Sequence, residues 1–195
     1  MMSKKILIIF GHPKFQKGSS FNACLRDEFI TESKKCNNEI DLINLYDEPP
    51  LGFLDGSPTT ELVLNYRKRL EQADVMLLMS PCYNYICTPI VENWISHVIQ
   101  PPFSFTYRKL YGNFGYPRGS ALKGKTAIIS MSYASPSFFI SGIIQQIPRR
   151  VKKFLFSYLC KMNVKYLKWY EILPNMPKKI FDKHMTKMRI AAKEI

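Results

Sequence analysis

Two stretches of this chain, Lys5-Ile6-Leu7-Ile8-Ile9-Phe10 and Val75-Met76-Leu77-Leu78-Met79, are apolar almost without interruption. A strand of that kind has no polar face to give to water, so it must be buried on both sides. Parallel sheets covered by helices on both faces supply that environment. The segments between them carry the matching helical pattern. From Ser20 onward, Phe21, Leu25, Phe29 and Ile30 recur at helical spacing with charges between them. Residues 39–45 alternate as a short second strand. Residues 46–58 hold Pro49, Pro50, Gly52, Gly56 and Pro58 and read as a loop. Thr59 or Thr60 caps a helix running to Ala73, and residues 89–99 form a helix with Pro89 in its first turn.

The second half continues the alternation. Residues 100–123 read as a long loop, rich in Gly, Pro and aromatic side chains, of the length that usually serves function. Residues 125–132 are a fourth strand. Residues 143–159 carry apolar side chains at 143, 144, 147, 151, 154, 155, 158 and 159, which is helical spacing, with Pro148 starting or kinking the helix. Residues 164–172 are a fifth strand and 177–193 a last helix. Five strands with intervening helices predict a three-layer α/β domain spanning 1–195, with a parallel sheet of order 2-1-3-4-5.

Composition narrows the classes. A hydrophobic content of 46% excludes wholesale disorder, and no run of 18 or more apolar residues provides a membrane span. The amino terminus is superficially like a signal peptide, but its apolar stretch is too short and reads as the first strand. Five scattered cysteines (24, 36, 82, 87, 160) predict reduced thiols and a cytoplasmic location. The net charge of +13 points to nucleic acid, phosphorylated ligands or an anionic membrane surface, or else to lysines spread over solvated faces. No nucleic-acid-binding signature is visible, so nucleic acid is not an expected partner.

The chemistry concentrates in loops after strands one, three and four, which converge at the switch point of such a sheet. The first loop runs from Gly11 and His12 to Ser19, Ser20, Phe21 and Asn22. Its glycines, hydroxyls and lysines suit a phosphate, although Ser20 is equally a helix cap. The second, Ser80-Pro81-Cys82-Tyr83-Asn84-Tyr85, offers backbone amides and aromatic faces to a flat polar ring, or alternatively a plain turn with core aromatics. The third, Ser132-Tyr133-Ala134-Ser135-Pro136-Ser137, is small and hydroxyl-rich.

These motifs resemble those of the flavodoxin-like quinone reductase and azoreductase family, which includes DT-diaphorase and the bacterial FMN-dependent NADH-azoreductases. Pro81-Cys82-Tyr83-Asn84-Tyr85 is similar to the azoreductase motif Pro-Met-Tyr-Asn-Phe. Phe105-Thr106-Tyr107, Gly119 and Leu122-Lys123-Gly124-Lys125 are similar to the family's lead-in to strand four. Gly11-His12-Pro13 and Ser20-Phe21-Asn22 are closer to the diaphorase branch. The resemblance implies a flavodoxin-like fold and a flavin-dependent NAD(P)H oxidoreductase passing hydride to a quinone or azo acceptor. His12, Ser20, Phe21 and Asn22 would lie along the phosphate chain. Pro81, Cys82, Tyr83, Asn84 and Tyr85 would hold the ring, with Ser132, Tyr133, Ala134 and Ser135 flanking it. FMN is favoured by the ring motif and the short chain, while His12 and Phe21-Asn22 pull toward FAD. A homodimer is also implied, with each site at the interface.

The chain departs from that family at several points. Ala134 and Ser135 replace a Gly-Gly pair, so their Cβ atoms narrow the approach to the ring and disfavour a positive φ. Phe138, Phe139 and Ile140 stand near where diaphorase carries a Tyr and a His. These departures define the alternative, a non-catalytic regulatory protein on the same fold that binds a nucleotide or a membrane partner such as a transporter.

Overall fold

The computed structural model describes residues 3–13, 20–56, 58–112, 114–137 and 148–195. Five parallel strands form the main sheet: β1 (Lys5–Phe10), β2 (Glu39–Asn44), β3 (Val75–Pro81), β6 (Thr126–Ser132) and β7 (Asn163–Trp169), in the order β2-β1-β3-β6-β7. With β4 and β5 set apart in a ribbon of their own, this is the 2-1-3-4-5 order expected. All seven residues of β3 are buried, and the outermost strands β2 and β7 are only partly so.

The strand period of two sorts the core into two layers. Leu7, Ile9, Met76, Leu78, Ala127, Ile129 and Met131 face α2 (Glu61–Gln72), α3 (Pro89–Val98) and α4 (Pro148–Leu159). Ile6, Ile8, Phe10, Val75, Leu77, Met79 and Ile128 face α1 (Phe21–Lys35) and α5 (Lys178–Lys193). Ser20 caps α1 by accepting from the Ala23 N–H at 3.1 Å, and Thr60 caps α2 through the Val63 N–H. On the outer strand β2, Asp41 takes both Nε and Nη2 of Arg69 from α2, at 2.9 and 2.5 Å. No helix among the described residues is long and apolar enough to cross a membrane.

Two sequence expectations need correction. Residues 100–123 are not an irregular loop. They contain an antiparallel ribbon, β4 (Phe105–Tyr111) paired with β5 (Phe114–Gly119). Glycines and a proline hid it. Pro117 is tolerated because both strands of a two-stranded ribbon are edges, with about half of the backbone N–H groups pointing away from the partner, and the aromatic side chains favour extended backbone.

The helix α4 begins at Pro148, while positions 143–147 lie outside the described residues. It is wound as a π-helix, and its end keeps that spacing: the Cys160 N–H donates to the Leu155 carbonyl, five residues back, at 3.0 Å. The wider repeat changes which side chains share a face. Val151, Phe156 and Leu159 are buried, whereas Phe154 and Tyr158, expected on the apolar stripe, face solvent.

The ribbon meets α4 at Gly119. A Cβ there would sit 2.5 Å from the Cys160 carbonyl oxygen and 2.9 Å from Lys161 Cβ, so only glycine permits this approach. Gly119→Ala is expected to destabilise the fold by about 1–3 kcal/mol. A urea unfolding midpoint equal to that of the parent chain would contradict the close packing.

Candidate functional site

At the carboxyl ends of the strands, the three predicted loops are tied to one another. Asn22 Nδ2 donates to Ser132 Oγ at 2.9 Å, and the Cys82 N–H donates to the Ser132 carbonyl at 2.9 Å. Pro81 pairs with Ser132 at the end of the β3–β6 ladder. The last residue of β6 therefore holds both the start of α1 and the turn after β3. A second set of bonds locks β1 to α3. The Gly11 N–H donates to the Met79 carbonyl at 3.0 Å. Thr88 Oγ1 donates to the Gly11 carbonyl at 2.8 Å, and the Thr88 N–H donates to Ser80 Oγ at 3.0 Å.

Residues 83–86 form a two-residue hairpin. The Tyr83 N–H donates to the Ile86 carbonyl at 3.0 Å, and the Ile86 N–H returns a bond to the Tyr83 carbonyl at 2.9 Å. Asn84 and Tyr85 occupy its centre with φ of 48° and 64°. That is the left-handed pair a type I′ turn demands. Asn adopts it at little cost, but a tyrosine there is strained. Tyr83, Tyr85 and Ile86 are exposed around the turn. On its far side Glu92 Oε1 accepts the Cys87 N–H at 2.9 Å and pairs with Arg150 of α4.

A cavity of about 700 Å³ opens beside the first loop. His12, Ser20, Phe21 and Asn22 form one wall, as the sequence suggested. Ile172, Leu173, Pro174, Met176, Lys178 and Phe181 form the other. The sequence reading missed this second wall, although the loop after the last strand also leaves a carboxyl end and carries Pro and Met between aromatic positions. Asn22 is 3% exposed, and its Oδ1 has no hydrogen-bond partner among the described residues.

The remaining predicted residues separate. Pro81 is buried within the ladder. Tyr133 turns into the core, where its hydroxyl meets that of Tyr166 and its ring stacks on Tyr170 with centroids 5.5 Å apart. Only its backbone can border the site. Ala134 is exposed and Ser135 half-buried, and neither stands at positive φ. The predicted Ser19 and the neighbouring Phe138, Phe139 and Ile140 lie outside the described residues.

Burial raises the Cys82 pKa, opposed by a hydrogen bond from the Tyr85 backbone, so the group stays a thiol at neutral pH and not a nucleophilic thiolate. No cluster of metal-ligating side chains occurs among the described residues. Burial also lowers the pKa of His12, against the raising effect of the Pro13 carbonyl 2.7 Å from Nδ1. It does the same to His184, packed edge-on to Phe21 and Trp169. Among the described residues the site thus offers neutral polar groups, the cation of Lys178, aromatic faces and a helix amino terminus: a binding surface for a flat, anionic ligand, with no activated nucleophile.

A family model described as flavodoxin-like fold matches residues 4–187. The chain belongs to that family. A curated relative, FMN-dependent NADH:quinone oxidoreductase 2 of Colwellia psychrerythraea, is 30% identical over 78 residues. That match takes in 40% of this chain and 35% of the relative, so the chain spans about a third of the curated relative it matches. An NAD(P)H:quinone oxidoreductase from Methanothermobacter marburgensis superposes with a TM-score of 0.80 at 17% identity, covering 99% of this chain and 97% of that one. An FMN-dependent NADH-azoreductase from Bacillus anthracis, solved with FMN, gives 0.73 at 16% identity, covering 97% and 98%. These superpositions carry the fold.

Two outcomes test the site's physics. Tyr85→Gly relieves the left-handed strain and is expected to stabilise the chain by about 1 kcal/mol, read as a higher denaturation midpoint. The histidines predict a pH dependence. Their folded pKa values lie below the ordinary 6.5, so the unfolded chain takes up protons first. Stability is therefore full above 6.5 and falls as pH drops from 6.5 toward the folded values. Urea midpoints measured across that window should decline, with a shallower slope in His12→Gln and His184→Gln.

Proposed function

We propose that residues 1–195 act as one flavodoxin-like domain binding FMN, and that the protein is an NAD(P)H oxidoreductase acting on quinone or azo acceptors. The carrying observation is the junction at Ser132, which gathers the three loops beside the partnerless Oδ1 of Asn22. Asn22 lines the cavity, and a buried acceptor with no partner among the described residues suits a ligand donor that reaches it. The volume of about 700 Å³ lies within the range of small-molecule sites. That the curated relative is FMN-dependent supports the choice of FMN over FAD.

The residues present fit such a group. The amino terminus of α1, capped by Ser20, and Lys178 across the cavity would receive the phosphate. Phe21, packed on Phe181 and His184, keeps that wall rigid and apolar. The hairpin at Tyr83–Ile86 would border the ring, with Tyr83 and Tyr85 covering it and excluding water. When bound, FMN supplies a two-electron centre that takes hydride from NAD(P)H and delivers it to the acceptor. The protein's part is to bind and orient, which agrees with a site lacking an activated side-chain nucleophile.

The reading extends to a cytoplasmic homodimer. No disulfide joins the cysteines among the described residues. Phe53 is 97% exposed and flanks an open cleft of about 600 Å³ shared with Ile86, Pro89 and Ile90, an apolar face suited to a second copy. The non-catalytic alternative is not favoured: neither residue of the Ala134–Ser135 departure needs the conformation that only glycine allows.

Titration of the purified protein with FMN, followed by absorption, tests the proposal. Saturable binding is expected, together with NAD(P)H oxidation dependent on a soluble quinone. Asn22→Ala should weaken FMN binding about tenfold. A protein that binds neither FMN nor FAD and leaves NAD(P)H untouched would overturn the reading.

A further inference from the structure

The positive charge of this chain is not spread evenly. Between Glu92 and Glu171 there are twelve Lys and Arg residues and no Asp or Glu. That stretch holds nearly the whole net charge of +13, and the rest of the molecule is close to neutral. It builds the β4–β5 ribbon, β6, α4 and β7, so the charge gathers at one side of the fold. Arg108, Lys109 and Arg118 are exposed on the ribbon and Lys153 on α4, with Lys152 on α4 and Lys161 just after it half-buried. None of these six makes an ion pair among the described residues.

The same surface carries apolar side chains that a solvated face does not need. At the end of the ribbon Tyr111 is 88% and Phe114 68% exposed, next to exposed Leu110. These two aromatics are directly paired across the turn. Beside the ribbon, Tyr116 meets Tyr158 edge-on at 5.8 Å, Phe154 stacks on Tyr158 at 5.9 Å, and Lys161 Nζ lies 4.7 and 4.6 Å from the two tyrosine centroids. The π winding of α4 is what turns Phe154 and Tyr158 outward. Aromatic side chains rimmed by uncompensated Lys and Arg are the composition of a bilayer interface.

We propose that this face, the β4–β5 ribbon with the outer side of α4, docks on an anionic lipid surface. The lysines and arginines approach the headgroups, and Leu110, Tyr111 and Phe114 enter the interfacial layer. Protruding Leu and Phe favour lipid over a nucleic acid, which would use the charge but not the aliphatic tip. Contact is peripheral, since no described helix can span a bilayer. The base of the ribbon packs on Cys160 and Lys161, just before β7 begins, whereas Ile86 follows the carboxyl end of β3. The docking face and the Phe53–Ile86 cleft thus start from opposite ends of the strands.

Flotation of the full chain with phosphatidylcholine vesicles, with and without phosphatidylserine, tests this independently of flavin binding. Recovery with phosphatidylserine vesicles alone, reversed by high salt, is expected. Arg108→Ser/Lys109→Ser and Lys152→Ser/Lys153→Ser should each weaken it, by about fivefold per charge removed. Phe114→Trp should show a blue-shifted emission on those vesicles. Lys34→Ser/Lys35→Ser, on α1, should leave recovery unchanged. Equal recovery on both vesicle types, equal loss in the α1 variant, or retention of an oligonucleotide with no vesicle binding would each overturn the proposal. So would a change of oligomeric state in the ribbon variants of a chain that ignores vesicles, which assigns the face to a second copy.

Discussion

Ser132 holds the working end of this molecule together. Its hydroxyl takes Asn22, the second residue of α1, and its carbonyl takes the Cys82 N–H at the start of the turn. Three chain segments far apart in sequence thereby acquire a fixed relation, and each bond is buried where water cannot compete for it. The Gly11–Thr88–Ser80 bonds do the same for β1 and α3. With the scaffold so constrained, the strained pair at Asn84 and Tyr85 can persist, because the hairpin bonds on either side leave it no cheaper geometry.

Much of this was legible in the residues. Strands buried on both faces announce themselves as unbroken apolar runs, and the order of strands and helices then follows from alternation. The convergence of the loops was legible from topology. What was not legible had local causes. The ribbon at 105–119 was obscured by Gly112, Gly115 and Pro117, which read as loop when considered singly. The face of α4 was misread because a 3.6-residue period was imposed on a π-wound helix. Hydrophobic spacing cannot distinguish the two without the backbone.

The site shows a finer division. Phe21 and Asn22 reach the cavity because a helix start fixes their direction, and His12 because it lies just past the carboxyl end of β1. Tyr133 does not, and the reason was available: it continues the alternation Ala127, Ile129, Met131 onto the same core layer. Loop membership alone suggested exposure, but the strand's period outlasts its last ladder bond. The wall from Ile172 to Phe181 was overlooked for a different reason. It carries no motif, only a position at a carboxyl end, and such walls are found by topology and not by composition.

The acid-free segment also gives the molecule a permanent separation of charge, a cationic side against a nearly neutral remainder. A body of that kind experiences a torque in an electric field before it experiences contact. Near any anionic surface it turns its ribbon side forward once within about a Debye length, about 8 Å at physiological salt. Encounters are then selected by orientation, and ionic strength acts first on the rate of arrival and only afterwards on the strength of holding.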